Sequence, residues 1–448
     1  MSKTTITLVG GGLAGSLMAV YFAKKGYQVN LFERRPDMRR ADISAGKSIN
    51  LALSTRGLRA LEKVGLKETI LTEAIPMHGR TMHDEVGQLS YQPYGTEGQY
   101  INSVSRGGLN IQLLKLADEN PDVHLFFNHK CIDIDFKTGE TTYLNEAGEK
   151  VVQKADYVVG SDGAFSRVRL RMMKSGRLDY SQDYLDHGYK ELTIPATADG
   201  QFALEPNALH IWPRGEYMMI ALPNPDKSFT CTLFYPFTGP NSFDTLKTKS
   251  DVEGFFNTHF ADAVPLMPTL VEDYFENPTG SLVTVRCYPW VKGKAALLGD
   301  ACHAVVPFYG QGMNCAFEDC VILDECIDAA NGNLDQAFQA YQKSRKENAD
   351  AIADLAIQNF IEMRDLVGDD DFLHYKQVEH TLCELHPDLF QSQYEMVTFT
   401  NVPYSVAKTK GAQNTKVVKK IIANGWEDKI TDRTFVRDVL EKQDALSS

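Results

Sequence analysis

Tryptophan is scarce in this chain, with 3 among 448 residues, and cysteine is modest at 8. The cysteines are Cys131, Cys231, Cys287, Cys302, Cys315, Cys320, Cys326 and Cys383, and none forms a C-x-x-C pair. That argues against a zinc ribbon or a thioredoxin-type motif and reads as reduced thiols. Cys302 and His303 adjoin, but adjacent side chains diverge and no further ligands stand at metal spacing, so no metal is expected. Basic residues fall short of acidic ones, 46 against 59, for a formal charge of −13. Such a balance does not build a nucleic-acid surface. No segment reaches about 18 uninterrupted apolar residues, so no membrane span is expected. The apolar run Val417–Trp426 is amphipathic and too short to span. The N-terminus enters a strand at once and leaves no signal h-region, which points to the cytoplasm. There is no paired-carboxylate motif and no Ser-His-Asp pattern. No catalytic side chain is therefore assigned, and a cofactor must carry the hard step.

What is present begins at the N-terminus. Ile6–Val9 is a short β-rich run, and Gly10-Gly11-Gly12-Leu13-Ala14-Gly15 follows it as G-x-G-x-x-G. Ser16 to Lys25 is helical in pattern, Gly26 ends it, and Val29–Phe32 is a second strand finishing at Glu33. This is a complete βαβ unit with an acid about 20 residues after the glycines, the signature of a dinucleotide whose ribose hydroxyl the acid receives.

Far downstream, Ala295–Leu298 is an apolar run fit for a buried strand, and Gly299-Asp300 ends it with a carboxylate. Pro307 breaks the path, Gly310-Gln311-Gly312 permits close backbone approach to a ligand, and Met313 to Leu323 has helical character. A glycine turn feeding a helix N-terminus suits a ligand that becomes negative on reduction, such as a flavin ring. A third segment, Tyr157–Arg169, places Asp162-Gly163 after a strand with Ser166 and Arg169 at fixed offsets. By itself it reads as a strand, a turn and a helix cap at Ser166.

Together these segments, G-x-G-x-x-G, D-G-x-x-S-x-x-R and G-D-A-x-H-x-x-x-P in order, resemble the single-component FAD-dependent aromatic hydroxylases. The resemblance covers roughly the whole chain. It implies an α/β fold: a glutathione-reductase-like FAD-binding domain, a β-sheet substrate domain, and a helical C-terminal part. Gly10, Gly12, Leu13, Ala14, Gly15, Glu33, Arg34, Arg106, Asp162, Asp300, Gly310, Gly312, Met313 and Asn314 are implied to bind the cofactor. Only one G-x-G-x-x-G opens a βαβ unit, so NADPH has no Rossmann domain of its own and visits transiently.

Further segments narrow the resemblance. They are Gly46–Leu53, His187–Leu192, Glu205–Pro213, Pro307–Asn314 and Met396–Phe399. They are similar to the branch that hydroxylates L-kynurenine to 3-hydroxykynurenine, on the route of tryptophan breakdown and NAD biosynthesis. The implied partners are L-kynurenine, NADPH and molecular oxygen, acting through a flavin hydroperoxide. Mitochondrial relatives carry a C-terminal membrane anchor, which this chain is expected to lack. Oligomeric state is left open, a homodimer included.

The resemblance places Arg80, Tyr94, Asn359 and Tyr394 around the amino-acid end of the substrate. Arg80 is suited to a carboxylate because guanidinium makes a planar double contact. Phe234, Met219, Pro307, Phe308 and Met363 are apolar candidates for the ring. His210 beside Trp212 reads better as a hydrogen-bonded sheet histidine than as a base.

The expected organisation is FAD-binding at 1–75, 101–179 and 276–345, substrate-binding at 76–100 and 180–275, and C-terminal helices at 346–448. Other readings stay open: another small aromatic substrate, an NAD-dependent dehydrogenase, or a non-catalytic FAD-fold binding protein. A flavin halogenase would show W-x-W, which Trp212, Trp290 and Trp426 do not form.

Overall fold

The computed structural model describes residues 3–40, 50–363 and 370–445. The Gly46–Ile49 part of one motif lies outside them. The elements used below begin with β1 (Thr5–Val9), α1 (Leu13–Lys24), β2 (Gln28–Phe32), α2 (Thr55–Lys63), β3 (Gly79–His83) and β4 (Leu89–Pro93). Next come α3 (Arg106–Asp118), β5 (Val123–Phe126), β6 (Tyr157–Gly160), α4 (Arg167–Lys174), β7 (Asp179–Ile194), β8 (Ala208–Pro213), β9 (Met218–Pro223) and β10 (Phe229–Pro236). The chain continues through α5 (Lys249–His259), α6 (Leu270–Glu276), β11 (Ala295–Leu297), α7 (Gly312–Ala329) and α8 (Leu334–Ile361). It ends with α9 (Asp370–Leu385), α10 (Gln393–Thr398), α11 (Tyr404–Ala423) and α12 (Arg433–Ala445).

The chain divides into two compact units. The first comprises Met1–Ala74, Val104–Leu185 and Leu282–Ala353. Its sheet runs β11-β6-β1-β2-β5, all parallel, with the short antiparallel strand Val291–Lys292 at the β11 edge. A parallel sheet needs crossovers that cover its faces, so its strands are apolar nearly throughout. Ile6, Leu8, Val29, Leu31, Val158, Val159 and Ala296 are fully buried with Leu17, Phe22 and Phe317 from the helices. Residues 130–154 form a three-stranded antiparallel meander, turned at Asn145–Gly148.

The second unit comprises Ile75–Ser103, Asp186–Ser281 and Asp354–Ser448. Its sheet order is β7-β10-β9-β8-β3-β4, antiparallel except where β3 joins β8. One face packs on α5 and α6 through Leu192, Trp212, Met219, Cys231, Leu233, Phe256 and Phe260. Side chains alternate between the faces of a strand. Arg80 pairs in register with Leu209, and Phe234 with Met218, so both project from the opposite face. The C-terminal helices α9, α11 and α12 bury Leu382, Val417, Val418, Ile421 and Val436 in a cluster of their own. Among the described residues no helix is long and apolar enough to cross a membrane.

Candidate active site

In the first unit, Gly10 follows β1 with φ +108°, and a Cβ there would lie 2.5 Å from the Ser161 carbonyl oxygen. Only glycine fits that turn. At Gly12, the residue capping α1, a Cβ would meet nothing within 4 Å, and no side chain caps the helix. The helix therefore starts uncapped beside open space at Gly12, as an anion approaching a helix N-terminus requires.

Glu33 is buried at the end of β2. Its Oε2 accepts from Gly11 N (2.8 Å), and its Oε1 accepts from Arg35 N (3.0 Å) and Nε (2.8 Å). Burial alone would raise its pKa, but Arg35 and the two backbone N–H groups hold it below the usual carboxylate value. A carboxylate has about four lone-pair sites. Three are used, so one remains for a hydroxyl. The neighbouring Arg34 is exposed.

Asp162 is tied into its own turn. Its carboxylate accepts from Ser166 Oγ (2.5 Å), Arg167 N (2.6 Å) and Val168 N (3.2 Å), at the start of α4. Ser166 itself caps the helix through Arg169 N. The motif thus builds a capped turn, and Ser161 ties it to the first motif through Gly10 O (2.9 Å).

Asp300 is half-buried, and its carboxylate makes no hydrogen bond among the described residues. Burial raises its pKa, while Arg106, exposed at the start of α3, and His303 oppose the rise. A carboxylate in that setting keeps its lone pairs free to accept hydrogen bonds. Gly310 has φ +66°, and α7 starts at Gly312 without a side-chain cap. Asn314 holds this turn closed: Nδ2 donates to Ala52 O (2.8 Å) and Gly310 O (2.9 Å), and Oδ1 accepts from Ser54 N (3.0 Å). Met313 and Phe308 are buried beside it in sequence.

Sequence reading missed Asn110, one turn beyond Arg106 on α3. Its Nδ2 donates to Gly11 O (3.1 Å), while its buried Oδ1 lacks a partner. The i, i+4 spacing from Arg106 was the available signal. The uncapped N-terminus, the free sites on Glu33, Asp300 and Asn110, and the glycine turn fit a flavin dinucleotide.

In the second unit, Arg80, Tyr94 and Tyr394 come together. The Arg80 guanidinium lies 5.2 Å from the Tyr94 ring centroid and 5.1 Å from that of Tyr394. The two rings are stacked, with centroids 5.4 Å apart and planes at 7°. Tyr394 is set by a capping box between Ser392 and Glu395 at the start of α10. Arg80 has no ion pair within 4.0 Å among the described residues, and its buried Nε has no hydrogen-bond partner. Burial alone would lower its pKa, but Tyr394, Tyr94 and the more distant Glu362 raise it, so the charge stays. Asn359 of α8 adjoins Met363, two residues past the helix end, with Asn359 Nδ2 3.3 Å from Met363 Sδ, and both are buried. Phe234 shares the sheet face of Arg80. Met219 does not line that face. Its partner Leu233 and its own packing put it in the α5–α6 core, so the expectation of a ring contact is corrected.

His210 is a structural sheet histidine. Its Nε2 meets Glu205 O (2.8 Å) and its Nδ1 meets His83 Nε2 (2.9 Å). Burial lowers its pKa to about 4.

A family model described as FAD binding domain matches residues 3–356. Kynurenine 3-monooxygenase of Myxococcus xanthus is 49% identical over 94% of this chain and 91% of its own. The enzymes of that name from Dictyostelium discoideum and Sus scrofa are 45% and 43% identical, over 93% of this chain in each case and 93% and 88% of their own. Among solved structures, the tetrameric form of 2-methyl-3-hydroxypyridine-5-carboxylic acid oxygenase superposes with a TM-score of 0.67 at 21% identity, covering 82% of this chain and 94% of its own. P. aeruginosa PqsL in complex with 2-aminobenzoylacetate gives 0.64 at 19%, covering 81% of this chain and 99% of its own. At those identities the structures speak for the fold.

Proposed function

The chain belongs to the FAD-binding domain family and, within it, to the kynurenine 3-monooxygenase family, and from that premise we propose that it hydroxylates L-kynurenine to 3-hydroxykynurenine. The observation that carries the substrate is Arg80. A half-buried cation with no ion pair among the described residues, beside two stacked tyrosine rings and with a buried, unpartnered Nε, is built for an anionic group of a ligand. Kynurenine offers an α-carboxylate to it. Tyr94, Tyr394 and Asn359 complete the amino-acid end, Phe234 and Met363 are the second unit's candidates for the aromatic ring, and Phe308 is that of the first unit.

FAD, when bound, accepts electrons from NADPH and activates molecular oxygen for transfer to the ring. Gly10, Gly12, Leu13, Ala14, Gly15, Glu33, Arg34, Arg106, Asp162, Asp300, Gly310, Gly312, Met313 and Asn314 form its site. Glu33 receives a ribose hydroxyl, Asp300 the polyol chain, and the α1 N-terminus the pyrophosphate. The uncapped start of α7 supplies N–H groups where charge develops on reduction. The substrate's own amine activates the ortho carbon, so no strong protein base is assigned. Apolar side chains around the ring, Phe234 and Met363 among them, would exclude water there. The first unit is the FAD domain and the second the substrate domain. We place the reaction in the cytoplasm. A homodimer is compatible with this reading.

The test is NADPH consumption by the purified, FAD-loaded protein. L-Kynurenine should accelerate it and yield 3-hydroxykynurenine. Acceleration without a hydroxylated product would remove the substrate assignment.

A further inference from the structure

Beneath the cofactor turn of the first unit lies a chain of buried charges that the reaction as described does not use. Asp319, on the second turn of α7, is its hub. Its Oδ2 accepts from Gly299 N (3.2 Å) and His303 Nε2 (2.5 Å), and its Oδ1 accepts from Arg345 Nε (2.7 Å). Arg345, on α8, also donates from Nη1 to Glu318 Oε2 (2.5 Å) and from Nη2 to Cys315 O (3.4 Å). Glu318 in turn pairs with Arg56 of α2. All five side chains are buried. Gly299, which the hub grips, has φ +61°, and a Cβ there would meet Ala316 and Ala14 at 3.2 and 3.3 Å. The turn bearing Asp300, the start of α7 and the start of α1 therefore converge on this residue.

We propose that the His303–Asp319–Arg345 triad is a positioning unit for the flavin site, fixing the Gly299–Asp300 turn against α7 and placing a buried positive charge beneath them. The inference rests on the FAD reading above. Hydrogen-bond roles support it: a carboxylate oxygen accepts, so His303 Nε2 must donate. Burial alone would lower the His303 pKa, yet Asp319 raises it well above the ordinary imidazole value, with Cys302 and Cys315 contributing. Burial alone would raise that of Asp319, yet His303 and Arg345 bring it down. The other groups bearing on the pair are Glu318, Asp300, Tyr341 and the Trp290 ring. Three cations, Arg56, Arg345 and His303, then face the buried carboxylates Glu318 and Asp319, and the half-buried Asp300 is the third carboxylate near them.

Cys302, His303 and Asp319 also have ligand atoms within 4.8 Å of one another. They are not a metal site. Both Asp319 oxygens are occupied, Arg345 already supplies the cation, and Cys302 Sγ donates to Gly299 O (3.1 Å).

A buried positive charge favours the more negative, reduced flavin. His303→Gln keeps a donor and removes the charge. In the FAD-loaded variant, the two-electron midpoint potential should fall by about 30 mV or more, a tenfold change in the reduction equilibrium. FAD affinity, titrated into apoprotein, should fall by a similar factor. A wild-type potential in the variant, whatever its thermal stability, overturns the proposal and leaves the FAD site standing. Wild-type protein that binds no FAD overturns the underlying reading instead. Should His303→Gln fail to fold, ¹⁵N NMR of histidine-labelled wild-type holoprotein decides. At about pH 8, above the ordinary imidazole value of about 6.5, both His303 ring nitrogens should carry protons. A neutral ring there overturns the counter-charge.

Discussion

Replacing Arg80 with Met separates the substrate's carboxylate from the rest of the molecule. The half-buried guanidinium lies beside the stacked rings of Tyr94 and Tyr394, with no ion pair among the described residues and with a buried, unsatisfied Nε. A charge-assisted hydrogen bond in such a place is worth about 1.5–3 kcal/mol, or roughly ten- to hundredfold in affinity. The planar fork allows two such bonds, so the lower factor is the minimum expected for Arg80→Met. The same change removes two cation–π contacts of about 0.5–2 kcal/mol each, so some loss of thermal stability should accompany it. Arg80→Lys keeps the charge but not the fork and should recover only part of the affinity. The assay is a binding titration of the FAD-loaded variants with L-kynurenine and with kynurenamine, which lacks the carboxylate. Kynurenamine should bind wild type and Arg80→Met about equally. The FAD content should be unchanged. If wild type and Arg80→Met discriminate equally between the two ligands, Arg80 does not touch the carboxylate.

Glu33→Ala removes the remaining hydroxyl acceptor and frees the Gly11 N–H, so FAD should be held less tightly by about 1.5–3 kcal/mol; an unchanged affinity in apoprotein titration would refute the ribose assignment. Asp319→Asn breaks a buried ion pair, at a cost of about 3–5 kcal/mol at neutral pH. Because the folded-state pKa of Asp319 is depressed, its contribution is present above the unfolded value of about 3.9 and is lost as pH falls through the folded one. The gap in thermal unfolding between wild type and variant should therefore close on acidification, and a constant gap would count against the pair. Met219→Ala should destabilise by about 2–5 kcal/mol with little effect on kynurenine affinity; a large affinity loss in a folded variant would return Met219 to the substrate face.

The parts of this molecule that are local in sequence were legible there. The first βαβ unit announces itself because the hydrophobic period changes from strand to helix and back around fixed glycines. The Ser166 cap was legible for the same reason. Asp162 was harder: spacing marks it out but does not tell a ligand contact from a carboxylate spent on three groups of its own turn. Met219 was misread because one residue of register exchanges the two faces of a strand, and β9's register is set by β8 and β10 rather than by its own residues. The buried charge chain escaped altogether. Arg56, His303, Glu318, Asp319 and Arg345 come from four separate segments, and each alone looks like a solvated helix or turn charge. Only the packing of α2, α7 and α8 makes them one unit.

The central claim is transfer of one oxygen atom from molecular oxygen to the kynurenine ring. Turnover of L-kynurenine with NADPH under ¹⁸O₂, followed by mass spectrometry, tests it directly. The account predicts 3-hydroxykynurenine carrying one labelled oxygen in its new hydroxyl group. Unlabelled product, or labelled hydrogen peroxide with no hydroxylated kynurenine, would contradict it.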